Sequence, residues 1–468
     1  MTVSNKNFIA LVAAVLLALA SIFYFVNKSQ AVYQHGYYDL PIFTQAAIRY
    51  WKDEPIYRRG SDLLDIYKPG AIVYKFPPPY LIHFIPWFDK SGVWPNQFRF
   101  QLTLFFIFTY GVVVFVSCLE VLKSRAAEKI TNIEKIKNID IASVVFVLLA
   151  IAYAGVFMPF FVVQGGTSGE CFIIAVAAAA FMSMRRLPWL AGFLLIWLAG
   201  IKIYPIFLLL YPLLTRQWSV VIWAAISGVL LALGSVLLFG LEENLFYLQS
   251  ILPILLSEPV SEDWTEMFRH TTGNQGIVKV LVSYSLLPSR LPIWLNAVRL
   301  PFLFAMVWLL FKYCKKHDVQ QWQALLSFSL VLLTMIVCLP NVFYSYFVML
   351  LFPFLVLAGF LWTKKYWYWL LLLVLLMSCF IVDDNWTYSL SQTVIAAGVS
   401  PEMAAELEKN GINAYLWNHH RLLLVLWFQG LTTPFLLYVL WFFTAVALRA
   451  ATFNSRHNRE LARRQESL

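Results

Sequence analysis

The fold is decided by residues 171–216, CFIIAVAAAAFMSMRRLPWLAGFLLIWLAGIKIYPIFLLLYPLLTR. Basic residues divide this stretch into three apolar runs of 13 to 15 residues each, 171–184, 187–201 and 203–215. At 1.5 Å per residue, such a run reaches roughly 20–22 Å, which is short of a hydrocarbon core of about 30 Å. Short helices are stable in a bilayer when they pack against protein or line a wet cavity. The stretch therefore predicts half-deep or broken helices within a larger membrane protein.

The composition of the whole chain agrees with a membrane protein. Of 468 residues, 60% are hydrophobic and only 13% are charged, against about 25% charged in soluble proteins. The mean hydropathy of +0.70 excludes disordered, fibrous and nucleic-acid-scaffold classes. Five cysteines are scattered singly with no CxxC pair, so neither a disulfide framework nor a zinc site is predicted.

Apolar runs near 20 residues predict nine further membrane segments. They lie at 8–26, 102–121, 141–163, 219–239, 292–311, 322–338, 346–362, 366–382 and 422–448. The first is interpreted as a retained span, because it is longer than the apolar region of a usual signal peptide. The predicted fold is a single all-α polytopic transmembrane domain over 1–468, with about 12 membrane segments, short broken helices among them, and helices in the outer loops.

Charge sets the predicted orientation. With a cytoplasmic N-terminus, one side of the membrane receives 19 Lys and Arg against 7 Asp and Glu, and the other receives 16 against 18. The net charges of +12 and −2 follow the positive-inside rule. The basic tail 449–468 is then cytoplasmic, and 27–101, 240–291 and 383–421 form outer loops. We expect a multi-pass protein of a plasma membrane, in bacteria the inner membrane.

The first outer loop begins with a helix start signal. Asp39 and Pro41 precede a run from Ile42 to Lys52 whose apolar positions recur at helical spacing. A Pro in the first turn and an Asp just before it favour a helix N-terminus. Asp39 is therefore either a helix cap or a chemical group, and one side chain can serve as both.

Three motifs carry a resemblance to a known family. They are Asp39 with the Ala46-Ala47 helix, Pro55-Ile56-Tyr57 and Tyr74-Lys75-Phe76-Pro77-Pro78; the basic turn Arg185-Arg186 with Ala191-Gly192 and Lys202-Ile203-Tyr204-Pro205; and Asn274-Gln275-Gly276. The chain resembles the polyprenol-phosphate-mannose-dependent mannosyltransferases of the GT-C superfamily. It departs from that pattern at Gly165–Ser168, where Gly-Gln is common, and at Tyr344 or Tyr346, where a His is often found.

The resemblance implies a GT-C-like fold and a transfer of a mannose-like sugar. The donor would be a polyprenyl-phosphate sugar, the acceptor a lipid or glycan at the outer face, and Asp39 the general base of a single inverting displacement. No cofactor is expected beyond the lipid-linked sugar phosphate as co-substrate, and no metal site is expected.

A leaving phosphate needs fixed positive charge or backbone donors. Lys202 is the first candidate, because an ionisable residue between two half-length helices indicates a functional site; the alternative is a lysine that extends to the interface. Glycines 165–169 offer either an anion cradle or a tight turn, and Glu170 argues against the cradle. Further candidates are Arg269, His270 and Arg421 for the donor phosphate, and Tyr38, Tyr74, Asn274, Gln275 and Tyr344 for the substrate.

Two other functions remain open. Broken helices around a lysine also occur in secondary transporters and flippases. Against that interpretation, no inverted repeat of 187–215 is found elsewhere, and the first outer loop is longer than a compact carrier needs. The other function is that of a non-catalytic assembly subunit, an interpretation that the presence of Asp39 makes less favourable.

Overall fold

The structure is a computed structural model that describes residues 5–35, 40–59, 74–88, 96–129, 141–166, 169–256, 291–314, 321–339, 342, 344–381 and 432–466. Within these ranges every regular element is helical, which confirms the all-α prediction. In the described part of the chain, seven helices are long and apolar enough to cross a membrane. The predicted count of about 12 segments is not confirmed.

The α-helices are numbered in chain order. They are α1 Asn5–His35, α2 Leu40–Trp51, α3 Pro78–Leu81, α4 Asn96–Lys129, α5 Ile141–Gly155, α6 Met158–Gly166, α7 Glu170–Ser183, α8 Pro188–Ile201, α9 Leu210–Leu214, α10 Trp218–Phe246, α11 Leu252–Leu256, α12 Leu291–Tyr313, α13 Gln321–Cys338, α14 Leu351–Thr363, α15 Trp367–Met377 and α16 Thr432–Glu466. Short 3-10 helices occupy Ile85–Trp87, Tyr204–Leu209, Tyr344–Leu350 and Ser378–Ile381, and a π-helix occupies Tyr247–Ile251.

The apolar run 141–163, predicted as one membrane segment, is interrupted by a turn in the structure. Helix α5 ends at Gly155, and α6 starts at Met158 after a turn. The cause is Pro159, which has no backbone N–H to donate and whose ring would clash with the carbonyl four residues earlier. The proline is tolerated in the first turn of α6, so the chain forms two shorter helices in place of one span.

Helix α10 is longer than the predicted span 219–239. A break at Gly240 (φ 80°, ψ 158°) interrupts it, and helical backbone then continues through the π-helix to Ile251. That backbone conformation is essentially restricted to glycine. The break falls where the predicted span ends, and the segment predicted as the outer loop 240–291 begins as helix.

The chain divides into two compact units. One comprises Met1–Phe25, Ser117–Pro159 and Pro259–Leu468. Its core is α13, which is buried along nearly its whole length. The indole N–H of Trp441 on α16 donates to Thr334 Oγ1 at 2.8 Å within this core. A buried polar group needs such a partner in an apolar interior.

The second unit comprises Val26–Val116 and Phe160–Glu258, and it contains the three short helices predicted from 171–215. Helices α7 and α8 and the broken segment from Tyr204 to Leu214 confirm that prediction. Gly192 on α8 lets α10 approach closely, because a Cβ there would lie 2.6 Å from the Ala224 nitrogen. Small residues permit this close packing between membrane helices.

Candidate active site

Helix α2 follows Asp39 directly and starts at Leu40, close to the predicted helix 42–52. Its buried face consists of Leu40, Phe43, Thr44, Ala46 and Ala47. The Ala46-Ala47 pair of the motif lies on this buried face. Asp39 itself, like Tyr38, lies outside the described residues.

The end of α2 is fixed by a left-handed cap. Asp53 has φ 57°. Glu54 N donates to Arg49 O at 2.9 Å, and Asp53 N donates to Tyr50 O at 3.2 Å. These two bonds form the Schellman pattern, in which the left-handed residue is usually Gly or Asn and here is Asp. Asp53 is exposed and serves as a backbone terminator.

The Pro55-Ile56-Tyr57 motif is held by partners distant in sequence. Glu243 Oε2 accepts from the Ile56 N–H at 3.1 Å and from the Tyr57 N–H at 3.4 Å. The Tyr57 hydroxyl donates to the Phe76 carbonyl at 2.6 Å. Burial raises the pKa of Tyr57, so this hydroxyl stays protonated and remains a donor. The motif therefore joins α10 to residues 74–79, the proline-rich segment.

Aromatic rings cover the proline-rich segment. Phe43 of α2 stacks on Phe84 at 4.2 Å and on Phe76 at 5.1 Å between ring centroids. Tyr74, a predicted substrate contact, donates its hydroxyl to Pro77 O at 2.9 Å, and burial raises its pKa. Within the protein, the Tyr74 hydroxyl is already engaged in holding the segment.

Lys202 lies at the predicted break. It ends α8 in an extended conformation (φ −142°, ψ 142°), and Pro205 follows in the next 3-10 helix. Its ammonium forms an ion pair with Glu170 Oε1 and lies 5.4 Å from the centre of the Phe76 ring. The side chain of Lys202 is 11% exposed and that of Glu170 is fully buried. The lysine is thus held inside the protein, next to a carboxylate and an aromatic face.

The partner carboxylate was not predicted as a site residue. Glu170 opens α7, where the N-terminal end of the helix dipole favours negative charge. Its second oxygen, Oε2, is buried and has no hydrogen-bond partner among the described residues. The Gln164 side-chain amide is also buried and without a partner in that part of the chain. Unbonded buried polar groups are uncommon and call for a functional or structural reason.

Gly169 brings this pair next to the aromatic segment. A Cβ at Gly169 would lie 3.1 Å from Ile201 Cγ2 and 3.2 Å from the Tyr80 hydroxyl oxygen. A side chain at residue 169 would make these contacts tight, and Tyr80 or Ile201 would have to move by a few tenths of an ångström. Gly165 and Gly166 end α6 and residues 167–168 lie outside the description, so the complete glycine turn is not defined.

A cavity of about 380 Å³ adjoins this region. It is lined by Tyr80, His83, Phe84 and Trp87 of the loop, Gln101, Leu102, Phe105 and Phe106 of α4, and Gly169 and Phe172. Burial lowers the pKa of His83 to about 4, so its imidazole is neutral at physiological pH. Sequence analysis missed this cavity; the run Tyr80 to Trp87, rich in aromatic residues, was the available signal.

The remaining predicted contacts are not defined here. Arg269, His270, Asn274, Gln275 and Arg421 lie outside the described residues. Tyr344 starts a 3-10 helix, and its side chain is not described. Among the side chains that the structure does describe, no group of three His, Cys, Asp or Glu is arranged to hold a metal ion.

Comparison with known proteins gives one result. Residues 74–340, more than half of the chain, match the model of glycosyltransferase family 87. This GT-C-like family of membrane glycosyltransferases agrees with the coarse part of the resemblance noted above. The matched range contains Tyr74, Glu170, Lys202 and Glu243. Neither the curated proteins nor the solved structures gave a match.

Proposed function

Because the chain belongs to glycosyltransferase family 87, we propose that it transfers a mannose-like sugar from a polyprenyl-phosphate donor to a lipid or glycan acceptor. Asp39 takes the proton from the acceptor hydroxyl as general base. The acceptor oxygen then forms a bond to the anomeric carbon while the bond from that carbon to the phosphate oxygen breaks. One displacement inverts the anomeric configuration and releases polyprenyl phosphate.

The observation that carries the proposal is the placement of Lys202. The released phosphate gains negative charge, and a preorganised cation in a partly dry site stabilises that charge more than water does. The Lys202 ammonium donates to Glu170 Oε1. The pairing with Glu170 supports a fixed lysine position, which is what electrostatic stabilisation of a leaving group requires.

The cavity beside Gly169 supports a lipid-linked substrate. Its lining is mostly aromatic or aliphatic, and the polar groups come from Gln101, the neutral His83, the Tyr80 hydroxyl and the Trp87 indole N–H. A hydrocarbon chain suits such a surface, because burial of apolar area is favourable and the histidine carries no charge to desolvate. Gly169 lines the cavity and precedes Glu170 directly, so the apolar space adjoins the Lys202 pair.

The charge partition supports catalysis at the outer face, because it places the first outer loop there. An impermeant thiol reagent should label an Asp62→Cys variant in intact cells, in a background without the five native cysteines. Labelling only after permeabilisation would show that this loop faces the cytoplasm, opposite to the predicted orientation.

The test of the proposal is transfer by the purified protein in lipid nanodiscs. It is incubated with a panel of radiolabelled polyprenyl-phosphate sugars and a membrane lipid extract, and the labelled product is identified. We expect the mannose donor to be used and Asp39→Asn to lower turnover by at least about a hundredfold, the lower range for a general base. Size-exclusion profiles control for folding of the variant. Near-normal turnover of Asp39→Asn would remove Asp39 as base, and use of nucleotide sugars alone would overturn the donor class.

A further inference from the structure

The break in α10 places a second carboxylate against the first outer loop. After Gly240, the Asn244 side chain secures the new helix direction: its Nδ2 donates to Gly240 O at 2.7 Å, and its Oδ1 accepts from Ser235 Oγ at 2.6 Å. These bonds bridge the two sides of the break. The turn that carries Glu242 and Glu243 is therefore held in a defined direction.

Both carboxylate oxygens of Glu243 are bonded. Oε2 accepts from the backbone N–H groups of Ile56 and Tyr57, and Oε1 pairs with the Arg59 guanidinium at 2.5 Å. Its neighbour Glu242 pairs with the same guanidinium at 2.5 Å, but its side chain is 80% exposed, against 11% for Glu243. Of these two carboxylates, Glu243 is the one that also accepts hydrogen bonds from described backbone N–H groups of the loop.

That loop is connected back to α2. The Arg49 side chain donates to Pro55 O at 2.5 Å, and Tyr50 packs on Phe239 of α10 at 5.5 Å between ring centroids. Helix α2 has 12 residues, so it is about 17 Å long at about 1.5 Å per residue. Glu243 contacts the loop after its C-terminal end, while Asp39 precedes its N-terminal end.

We propose that Glu243 is a positioning residue for sugar transfer: by binding the N–H groups of Ile56 and Tyr57 and the Arg59 guanidinium, it fixes the loop at the C-terminal end of α2, the helix that directly follows Asp39 in the chain. The inference rests on the proposed role of Asp39 as base. A displacement of about 1 Å that originates far from the chemistry can lower a rate by about a hundredfold. The loop contacts of Glu243 thus control turnover more than substrate affinity.

Three variants separate the contacts. Glu243→Ala leaves two buried N–H groups without their acceptor, and we expect kcat to fall by about a hundredfold. Glu243→Gln keeps an acceptor oxygen but loses the charge that pairs with Arg59. We therefore expect a smaller reduction of kcat, about tenfold. Glu242→Gln is the matched control, with the same substitution one residue away on the exposed arm, and we expect it to stay within about twofold of the unchanged protein.

Each variant is measured in nanodiscs for kcat and KM and for amide hydrogen exchange. We expect KM to stay constant and exchange to rise over 52–59 in the Glu243 variants only. The double variant Asp39→Asn/Glu243→Gln should be no slower than Asp39→Asn alone, because a residue that acts only through the base has no further effect once the base is absent.

The inference would be overturned if the kcat reductions of Asp39→Asn and Glu243→Gln multiplied in the double variant. An unchanged kcat in Glu243→Gln would also overturn it. A kcat loss that only follows the folded fraction from size-exclusion chromatography would overturn it as well. Failure of the proposed function is visible separately. In that case the unchanged protein uses no polyprenyl-phosphate sugar, or Asp39→Asn keeps full turnover, whereas the exchange measurement still reports whether Glu243 holds the loop.

Discussion

The Lys202–Glu170 pair and the Arg59–Glu243 pair both join a cation to a carboxylate within one compact unit, but they differ in burial and in how fully the carboxylate is bonded. Glu170 is fully buried and Lys202 is 11% exposed. Arg59 is 35% exposed and shares its guanidinium between Glu243 and the exposed Glu242. The hydrogen bond with Glu242, followed in size by the one with Glu243, raises the pKa of Arg59, so its guanidinium stays charged.

The difference suggests two roles for similar chemistry. Both oxygens of Glu243 are used within the protein, two of their partners being backbone amides, which is what a group that fixes a loop requires. Glu170 leaves one buried oxygen without a described partner, beside a lysine at a helix break. Desolvated ionisable groups of this second kind are enriched at functional sites. The comparison therefore supports the proposed chemical role of Lys202 and the proposed positioning role of Glu243.

The largest effect is expected at Lys202. Lys202→Met should lower turnover by about a hundredfold to a thousandfold, the range for loss of one preorganised donor at a developing charge. Lys202→Arg keeps the charge and should retain part of the donor affinity. Single-turnover kinetics and equilibrium donor binding measure the two quantities. Turnover of Lys202→Met within a few-fold of the unchanged protein would favour the alternative lysine that extends to the interface.

Glu170 tests whether the buried pair also matters for stability. Removal of one partner leaves an uncompensated buried charge, so Glu170→Gln should lower the free energy of unfolding by about 3 kcal/mol. The double variant Lys202→Met/Glu170→Gln removes both charges and should recover most of that loss, while turnover stays low. Equilibrium unfolding in mixed micelles measures the first effect, and the transfer assay measures the second. A double variant that regains turnover would contradict the assigned role of Lys202.

Local sequence signals predicted the helices on either side of Lys202 and the helix that follows Asp39. The lengths of the apolar runs in 171–215 identified α7, α8 and the break at Lys202. Spacing and the start signal at Pro41 identified α2. These features depend on residues close together in the chain, such as a proline in a first turn or an apolar run too short to span. A single sequence contains that information directly.

The partners of the charged groups could not be predicted in this way. Glu170 lies 32 residues from Lys202, and Glu243 lies 187 residues from Ile56. No periodicity connects positions so far apart, and which carboxylate meets which cation is settled by helix packing. The break at Gly240 was missed for a related reason: a glycine in an apolar helix is often tolerated, and here the Ser235–Asn244 bonds secure the bend.

The smallest effect is expected at the exposed arm of the Arg59 cluster, and it tests burial as the basis of the comparison. Since the Glu242 side chain is 80% exposed, Glu242→Gln should change the free energy of unfolding by less than about 1 kcal/mol. At 1 M salt the Debye length is about 3 Å, so the attraction between exposed charges is strongly screened, whereas buried pairs are screened much less. Double-variant cycles for Arg59 with Glu242, and for Lys202 with Glu170, should be measured at 0.05 M and 1 M NaCl. The coupling between Arg59 and Glu242 should vanish at high salt, while the coupling between Lys202 and Glu170 persists. Equal salt dependence would mean that water reaches Lys202 as freely as it reaches Arg59. The contrast between the two pairs would then no longer hold.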